Sequence, residues 1–526
     1  MARSLSPLDR LAAQRAPLSP LPFVVLTLAT ALAAGGVAWS ATGGAKWQAV
    51  ALLTVLSGAA LSVWLHLVDR FLDFATWLLL FCAPITLDVE WWHRVGVDPI
   101  VNTWPASATL SIPDLLTYLL YAAWGLELLQ RRAARTQPLG WIALWAFGFL
   151  VAGAASFRVS RDPASSFIEW SRTLHYVLMF VYLAKRVRDP KLLKWLLLSI
   201  AIQCWIEVGI STLQYVTKSS LHLDFLGERS GVKTFDTPDG AEARAGGLMG
   251  HPNNLALYFV IVGPLSMAKS LEPGLRALPR LFWIATCVLT QFGLLITFSR
   301  AGWLCSATCA LLLFHWQQRR LGRPRLVSLW LPLLGGCVAF LLLFGLWEDF
   351  RQRLLAPDYG STETRWQQWK TALNVIRHCW WEGTGLGAYT DGAWKWNDGT
   401  GDLRNLLYRV HNGSLLVTAE LGIWGGIAYH AWAWLVLKRG WQLVRTLRDP
   451  VLWSAAAGLF AGLLGWYAKS MYNVHTPIAD VNLWYVSGLL LAVPHCGANG
   501  ANGPLGASDA GAAAPVAAAT PRGAPR

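Results

Sequence analysis

The sequence predicts an all-α polytopic membrane protein, with about 12–14 transmembrane helices and a large periplasmic loop that contains amphipathic helices. Two observations of composition predict this class. Of the 526 residues, 54% are hydrophobic and 14% are charged, and the mean hydropathy is +0.39. Apolar runs of about 18 residues or more recur along the chain, which is the length that crosses a bilayer core. These runs predict helices, because only helices or closed barrels satisfy every backbone group in lipid.

The predicted spans follow from the positions of the apolar runs. They lie at 21–41, 46–66, 71–87, 113–130, 139–156, 168–184, 192–216, 252–268, 281–298, 301–316, 326–346, 413–437, 451–468 and 481–494. The third and the last are short for a bilayer and leave a re-entrant interpretation open.

The positive charges of the chain lie mostly in alternate loops. The net charge is +14, and the largest basic groups are those at Arg131–Arg135, Lys185–Lys194, Arg319–Arg325 and Lys438–Arg448. This distribution follows the positive-inside rule, with both termini cytoplasmic. The basic excess therefore predicts orientation and contact with anionic membrane lipids, and it argues against a nucleic-acid partner.

The predicted topology divides the chain into five segments. These are a cytoplasmic N-terminus (1–20), transmembrane helices 1–11 with an outer loop at 217–251 (21–346), a large periplasmic loop (347–412), C-terminal transmembrane helices (413–494) and a disordered cytoplasmic tail rich in Ala, Gly and Pro (495–526). The N-terminus lacks the apolar core and cleavage site of a removable signal peptide, so we expect the first span to remain as an anchor.

The large loop has two recognisable features. Aromatic and aliphatic residues at helical spacing predict an amphipathic helix of about 18 residues with Ser361 as a plausible N-cap; they are Trp366, Trp369, Leu373, Ile376 and Trp380. This stripe suits the membrane surface, and its aromatic faces also suit sugar rings. The following GTGLGAY (Gly383 to Tyr389) predicts a turn, since no strand precedes it as a phosphate-binding loop would require.

Four short polar motifs place cations at the outer ends of apolar spans, against the general trend. They are RAGGLMGHPNN (244–254), TFSRAGW (297–303), TETRWQQWK (362–370) and VHNGS (410–414). Arg244, Arg300 and Arg365 are candidates to bind phosphate oxygens through bidentate guanidinium groups. The alternatives are an ordinary loop arginine for Arg244, snorkelling at a helix end for Arg300, and a cation–π contact with Trp369 for Arg365.

His411 is the candidate general base. It precedes a predicted helix, whose N-terminus disfavours a second positive charge and keeps an imidazole neutral. A purely structural histidine is the alternative, and His251, His378 and His475 are weaker candidates. Asn412 beside it and Asn253 at another helix entry are candidate substrate-binding residues, together with Trp369.

Several common catalytic signatures are missing from the sequence. It has no Asp-x-Asp pair for a nucleotide-sugar metal, no phosphate-binding loop for ATP, no HExxH, no GxSxG and no evident glycosidase carboxylate pair. No CxxC metal spacing occurs among the eight cysteines. We therefore expect no metal and no cofactor, and an activated substrate that already resides in the membrane.

The ordered motifs, together with GTGLGAY and VHNGSLLVTAELGIWGG, resemble the O-antigen ligase and O-antigen/exopolysaccharide polymerase superfamily over roughly residues 110–490. The resemblance implies a multi-pass glycosyltransferase of the bacterial inner (cytoplasmic) membrane with a periplasmic active face. It implies an undecaprenyl-pyrophosphate-linked glycan as donor. The family's essential arginines match Arg300 and Arg365, with Arg244 as a third candidate, and its essential histidine matches His411. The Trp-rich loop at 380–409 and the alanine-rich tail depart from a minimal ligase.

Two questions stay open at this point. The acceptor is a growing polysaccharide or a lipid A-core, and the Trp-rich loop slightly favours a polymerase; in both cases single displacement predicts inversion. The alternative class is a lipid-linked oligosaccharide flippase or transporter, for which matched halves and charges at mid-membrane depth are typical.

Overall fold

A computed structural model describes residues 71–83, 88–93, 107–129, 139–223, 226, 228, 232–237, 240–355, 361–397, 406, 408–473 and 480–497. The predicted spans 21–41 and 46–66 and the N-terminal segment 1–20 lie outside the described residues, as does almost all of the predicted tail.

Helices make up most of the described chain. In order they are α1 (Phe71–Cys82), α2 (Ile112–Leu129), α3 (Trp141–Ala155), α4 (Pro163–Arg186), α5 (Pro190–Thr217), α6 (Pro252–Ser270), α7 (Ala277–Ile296), α8 (Arg300–Arg320), α9 (Arg325–Leu346), α10 (Glu348–Leu355), α11 (Ser361–His378), α12 (Tyr389–Lys395), α13 (Gly413–Thr446), α14 (Pro450–Ser470) and α15 (Val481–Ala492). The strands are β1 (Asp88–His93), β2 (Ser107–Ser111), β3 (Lys233–Thr237) and β4 (Gly240–Arg244), paired as two antiparallel hairpins.

The predicted fold class is confirmed: the chain is an all-α polytopic membrane protein. Each predicted span from 71–87 onward coincides with a helix. Within the described residues, four helices are long and apolar enough to cross a membrane, at Trp141–Arg158, Pro190–Thr217, Ala277–Ile296 and Pro450–Ser470. A further candidate span is broken, since α9 and α10 meet at an angle of 101°. The amphipathic helix of the large loop is α11, which begins at Ser361.

The helix ends differ from the apolar runs that predicted them. α13 continues past the predicted end at 437 to Thr446, whereas α1 stops at Cys82 although its span was predicted to reach 87. α4, α5 and α14 each begin at a capping aspartate. The aspartate accepts a backbone N–H of the first helical turn, and a proline occupies that turn. Helices therefore follow their caps rather than the limits of apolar sequence.

The centre of the bundle is α6, whose residues from Leu255 to Leu265 are almost entirely buried. It packs against α14 through glycines that let the two backbones approach closely. A Cβ at Gly462 would lie 2.8 Å from the carbonyl oxygen of Ile261, and one at Gly458 would lie 2.7 Å from the Cα of Leu265. Small residues are the usual means of close helix packing in membranes. α6 and α14 are therefore a rigid pair on which other elements are assembled.

α13 is broken at Gly422, where φ is 64° and ψ is −165°. The loop at 380–385 fills the break and satisfies its backbone: Thr384 N–H donates to Ala419 O (3.0 Å), Gly385 N–H to Glu420 O (2.9 Å), and Ile423 N–H to Trp380 O (2.7 Å). A Cβ at Gly383 would lie 2.2 Å from Glu420 O, so only glycine permits this approach. The glycine-rich turn is thus a structural insert whose N–H groups bind helix carbonyls.

Candidate active site at one end of the bundle

The four polar motifs meet at one end of the helix bundle. α6, α8 and α13 begin at this end and α7 and α14 finish there, while the basic loops that follow α4, α8 and α13 lie at the opposite end. The segments that follow α5 and α9 add the hairpin β3–β4 and the helices α10 and α11 to the same region. The sequence alone gave no indication of the hairpin, whose last residue pair joins Lys233 to Arg244.

The turn between α7 and α8 organises two arginines from distant segments. Phe298 adopts a left-handed conformation (φ 49°), which is rare for a residue with a bulky side chain. In this conformation the carbonyl of Thr297 accepts the Nε–H of Arg244 (3.0 Å), and the carbonyl of Phe298 accepts the Nε–H of Arg353 (3.2 Å). Strained backbone of this kind clusters at functional sites. The adjacent Arg300 is the first residue of α8.

Three other arginines of the site act on the charge of Arg244. Burial, and then the positive charges of Arg353, Arg365 and Arg300, lower the pKa of Arg244 to about 9. The structure therefore brings Arg244, Arg300 and Arg365, which the sequence singled out separately, into one electrostatic neighbourhood. Like charges held together in this way are stabilised by an anion that binds between them.

Lys469 and Arg353 complete a group that we call the cation cluster: Arg244, Arg300, Arg353, Arg365 and Lys469. Lys469, at the end of α14, is 2% exposed and donates from Nζ to the carbonyl of Asn253 (2.9 Å). The charges of Arg244 and Arg365 act on it. Sequence reasoning missed both residues. Lys469 had a usable signal, since it is a cation at the outer end of an apolar span, one residue past the predicted limit at 468.

Asn253 contacts two members of the cation cluster. Its Oδ1 accepts an N–H of Arg244 (3.1 Å), its carbonyl accepts Lys469, and its own N–H donates to Nδ1 of His251 (3.0 Å). His251 is thereby the N-cap of α6. These bonds indicate that Asn253 orients Arg244, which is compatible with its predicted place in a substrate site but gives it a supporting position.

His411 is held by α11 through Gln368. Both the Nδ1 and the backbone N–H of His411 lie within hydrogen-bond distance of Gln368 Oε1, at 2.7 and 3.3 Å. Trp369, the next residue of α11, donates its indole N–H to the carbonyl of His411 (3.4 Å). The TETRWQQWK motif therefore supplies Arg365 on one turn of α11 and the supports of His411 on the next.

The imidazole of His411 is kept neutral. Burial, and then the positive charge of Arg365, lowers its pKa to about 4. The helix N-terminus invoked from the sequence predicts the same sign. Arg365 thus acts on Arg244, Lys469 and His411 alike, and it links the cation cluster to the histidine.

Aromatic rings continue from His411 towards solvent. The ring centroids of Trp366 and Trp369 are 6.3 Å apart, and those of Trp369 and Tyr472 are 6.0 Å apart. Trp366 and Tyr472 are about half exposed, at 51% and 52%. Exposed aromatic faces of this kind suit the apolar faces of sugar rings as well as the membrane interface.

The remaining predicted residues have structural partners. Asn412 is the N-cap of α13, and its Oδ1 accepts the N–H of Leu415 (3.0 Å). Among the competing histidines, His378 stacks on Trp396 with ring centroids 4.3 Å apart, and His475 lies outside the described residues. In the part of the chain that the structure describes, no group of His, Cys, Asp and Glu could hold a metal ion.

A second charged group lies directly before His411 in the sequence. Arg409 forms a buried ion pair with Glu169 of α4, in which Nη2 of the arginine and Oε1 of the glutamate are 3.0 Å apart. Burial opposes the charge of Arg409, but the carboxylates of Glu169 and Glu420 outweigh it and raise the pKa of Arg409. Ion pairs between Arg158 and Glu382 and between Arg161 and Asp391 also join the turn before α4 to the large loop. These pairs fix the loop that carries His411.

Comparison with known proteins gives a family match for part of the chain. Residues 285–430 match the sequence model of a family described as O-antigen ligase. The matched segment runs from α7 into α13 and contains Arg300, Arg353, Arg365 and His411, whereas Arg244 and Lys469 lie outside it. No curated protein matches the chain.

Proposed function

We propose that this chain, which belongs to the O-antigen ligase and polymerase superfamily, transfers a glycan from an undecaprenyl-pyrophosphate-linked donor to an acceptor hydroxyl. The family match supports a membrane glycosyltransferase of the O-antigen ligase or polymerase type. The donor, the roles of individual residues and the stereochemistry are our proposal.

One observation carries the proposal: the cation cluster and a neutral histidine share Arg365 as a common neighbour. A pyrophosphate diester needs several cations to bind it, and an attacking hydroxyl needs a group that can accept its proton. Guanidinium groups bind phosphate oxygens in pairs and stay charged. The site therefore combines the two chemical requirements of glycosyl transfer from a lipid pyrophosphate.

The donor half of the reaction involves the arginines. Arg300 and Arg365 bind the pyrophosphate, with Arg244 as a third contact oriented by Asn253 and Thr297. As the bond between the anomeric carbon and the pyrophosphate oxygen breaks, its electron pair passes to that oxygen and the negative charge on the leaving group increases. Fixed cations stabilise such a charge without reorganisation, which is commonly the largest single contribution to catalysis.

The acceptor half involves His411. The acceptor oxygen forms the new bond to the anomeric carbon on the face opposite the leaving group, and its proton passes to the imidazole of His411. One displacement at one carbon inverts its configuration. Protonation of the leaving group is unnecessary once the cations bind it, and the step uses no metal or cofactor.

A row of aromatic rings lies on the side of the site that we assign to the acceptor. Trp369 touches the backbone of His411, and Trp366 and Tyr472 continue the row towards solvent. We assign Trp369 to sugar binding, with Asn412 at the adjacent helix entry. The acceptor is the end of a growing polysaccharide or a lipid A-core, and the length of the aromatic row favours the polysaccharide.

We propose the bacterial inner membrane as the location, with the site at the periplasmic face and the basic loops in contact with cytoplasmic anionic lipids. The positive-inside rule supports this orientation. A lipid-linked oligosaccharide flippase is the alternative. It requires a cavity that is accessible from both sides, whereas the cation cluster lies at one end of the helices that carry it.

Glycosyl transfer is separated from flipping by an assay in detergent. Purified protein is given a synthetic undecaprenyl-pyrophosphate oligosaccharide with either a polysaccharide fragment or a lipid A-core as acceptor, in the presence of EDTA. We expect one acceptor to be extended and undecaprenyl pyrophosphate to be released. NMR should show that the new linkage has the inverted anomeric configuration. Movement of the glycan across closed vesicles, with no transfer in detergent, would establish the flippase.

A further inference from the structure

Gln368 contacts the proposed base in a way that determines its tautomer. The side chain is 3% exposed and lies on the buried face of α11. Its Oε1 is 2.7 Å from His411 Nδ1 and 3.3 Å from the backbone nitrogen of His411. Two groups of the same residue therefore converge on one amide atom.

The backbone contact decides which amide atom this is. A backbone N–H can only donate a hydrogen bond, so the atom that it meets must be the amide oxygen and not the NH2 group. An amide oxygen can only accept. The second contact then requires that Nδ1 of His411 carries the proton, an assignment that geometry alone rarely permits for a histidine.

The consequence concerns the other ring nitrogen. A neutral imidazole has one N–H and one lone pair, so a protonated Nδ1 leaves the lone pair on Nε2. We propose that Gln368 is a positioning residue that holds His411 as the Nδ1–H tautomer and so presents Nε2 as the proton acceptor. This inference rests on the proposed function, because it assumes that His411 takes the proton of the acceptor hydroxyl.

The neutral amide also suits its surroundings. A carboxylate at this position would favour the imidazolium and would place a negative charge beside Arg365, which acts on His411 from the same helix. The charge of Arg365 also acts on Lys469 of α14 and on Arg244, the last residue of β4. Glutamine therefore fixes the tautomer without neutralising cations that the pyrophosphate needs.

Gln368→Glu tests the electrostatic half of the inference. It retains an acceptor for Nδ1 but adds a negative charge, so the pKa of His411 rises, and the acid limb of the pH–rate profile moves to higher pH by at least about one unit. Gln367→Glu, one position away on α11, is the matched control and should leave the limb in place. A wild-type pH profile for Gln368→Glu would overturn the inference.

Gln368→Leu tests the positioning half. Loss of the hydrogen-bond acceptor for His411 Nδ1 should lower kcat by about 10- to 100-fold, with little change in the KM of the glycan donor. This is the range seen when hydrogen-bond partners of metal-ligating histidines are removed. A structural role alone would lower the amount of folded protein and leave the kcat of the folded fraction unchanged. That result would also overturn the inference.

A spectroscopic readout separates this inference from the proposed function. In protein labelled with ¹⁵N-histidine and assigned by His411→Gln, the wild type should show a protonated Nδ1 and an unprotonated Nε2, and Gln368→Leu should show a mixture. An Nε2–H tautomer in the wild type contradicts the inference even if transfer activity is normal. Full activity in His411→Gln contradicts the proposed base, whatever tautomer the spectrum shows.

Discussion

Arg244 and Arg409 are both half-buried arginines near His411, yet their surroundings differ in sign. Burial and then three other arginines lower the pKa of Arg244 to about 9, whereas the carboxylates of Glu169 and Glu420 outweigh burial and raise the pKa of Arg409. Arg409 already has its anions within the protein. Arg244 lies among like charges, which is a costly arrangement unless an anion arrives.

This difference separates the contribution of the Arg409 ion pair from that of the cation cluster. A buried arginine with carboxylate partners holds segments together, here the loop before α13 against α4. The like charges of the cation cluster repel one another, so an anion that binds between them stabilises the group. Substitutions in the first group should therefore affect stability, and those in the second should affect activity.

The largest effect is expected at the histidine beside the cation cluster. His411→Gln retains a hydrogen-bonding side chain but cannot act as the base, so transfer should fall by about 10²- to 10⁴-fold while donor binding is kept. The initial rate with purified protein measures this. His378→Gln, on the exposed end of α11, is the control. More than about a tenth of wild-type turnover in His411→Gln would exclude the base, since the smallest expected loss is about 10²-fold.

The paired arginine should dominate stability. Arg409→Met removes the cation that pairs with the buried Glu169 and acts on the buried Glu420, and it should destabilise the protein by about 3–5 kcal/mol. Thermal or denaturant unfolding in detergent measures this. Arg409→Met combined with Glu169→Gln should regain part of the loss.

Arg244→Met is the matched variant in the cation cluster. Its stability should stay within about 1 kcal/mol of wild type, because relief of repulsion offsets the lost hydrogen bonds. Equal destabilisation by the two arginine substitutions would remove the distinction between the two groups.

Geometry as well as charge should matter in the cation cluster. Arg300→Lys and Arg365→Lys keep a cation but lose the planar fork that binds two phosphate oxygens, so each should lower activity by about 10²- to 10³-fold at normal protein level. Product formation against the amount of inserted protein measures this. Arg319→Lys, at the opposite end of α8, should be silent. Near-normal activity in Arg300→Lys would indicate a snorkelling arginine.

The cation cluster should also give a ligand-dependent gain in stability. Inorganic pyrophosphate without metal should stabilise the wild type, by about 2.7 kcal/mol at a hundred times its Kd. Arg244→Met should lose much of this gain, whereas Arg319→Lys should retain it. Chloride at matched ionic strength controls for screening. A gain that is equal in Arg244→Met and wild type would place the anion elsewhere.

Sequence reasoning found the site residues that carry their own signal. Arg300, Arg365 and Arg244 are cations at the predicted outer ends of apolar spans, where the sequence has few cations. His411 precedes an apolar helix. Each of these residues could therefore be named without knowing its neighbours. Lys469 met the same criterion, since it directly follows the predicted span 451–468, and it was nevertheless missed. Arg353 stood among other charges of the large loop and had no such contrast.

Gln368 could not have been found in this way. It lies within the TETRWQQWK motif beside an identical residue, and a neutral amide has no pattern that marks its function. Its role depends on a contact between residues 43 positions apart. Glu169 and Arg409 are 240 positions apart, and no local pattern pairs them.

By itself, the sequence determined the membrane class, the apolar helices from residue 71 onward, the amphipathic helix α11 and the motifs that supply the cations and the histidine. These follow from local properties, namely apolar length, caps and the sign of charge along the chain. Only the tertiary structure decided that the motifs share one site. Their convergence depends on the left-handed turn at Phe298, the glycine approach of α14 to α6 and the loop that fills the break in α13. Such features depend on shape complementarity between distant segments, which no single stretch of sequence encodes.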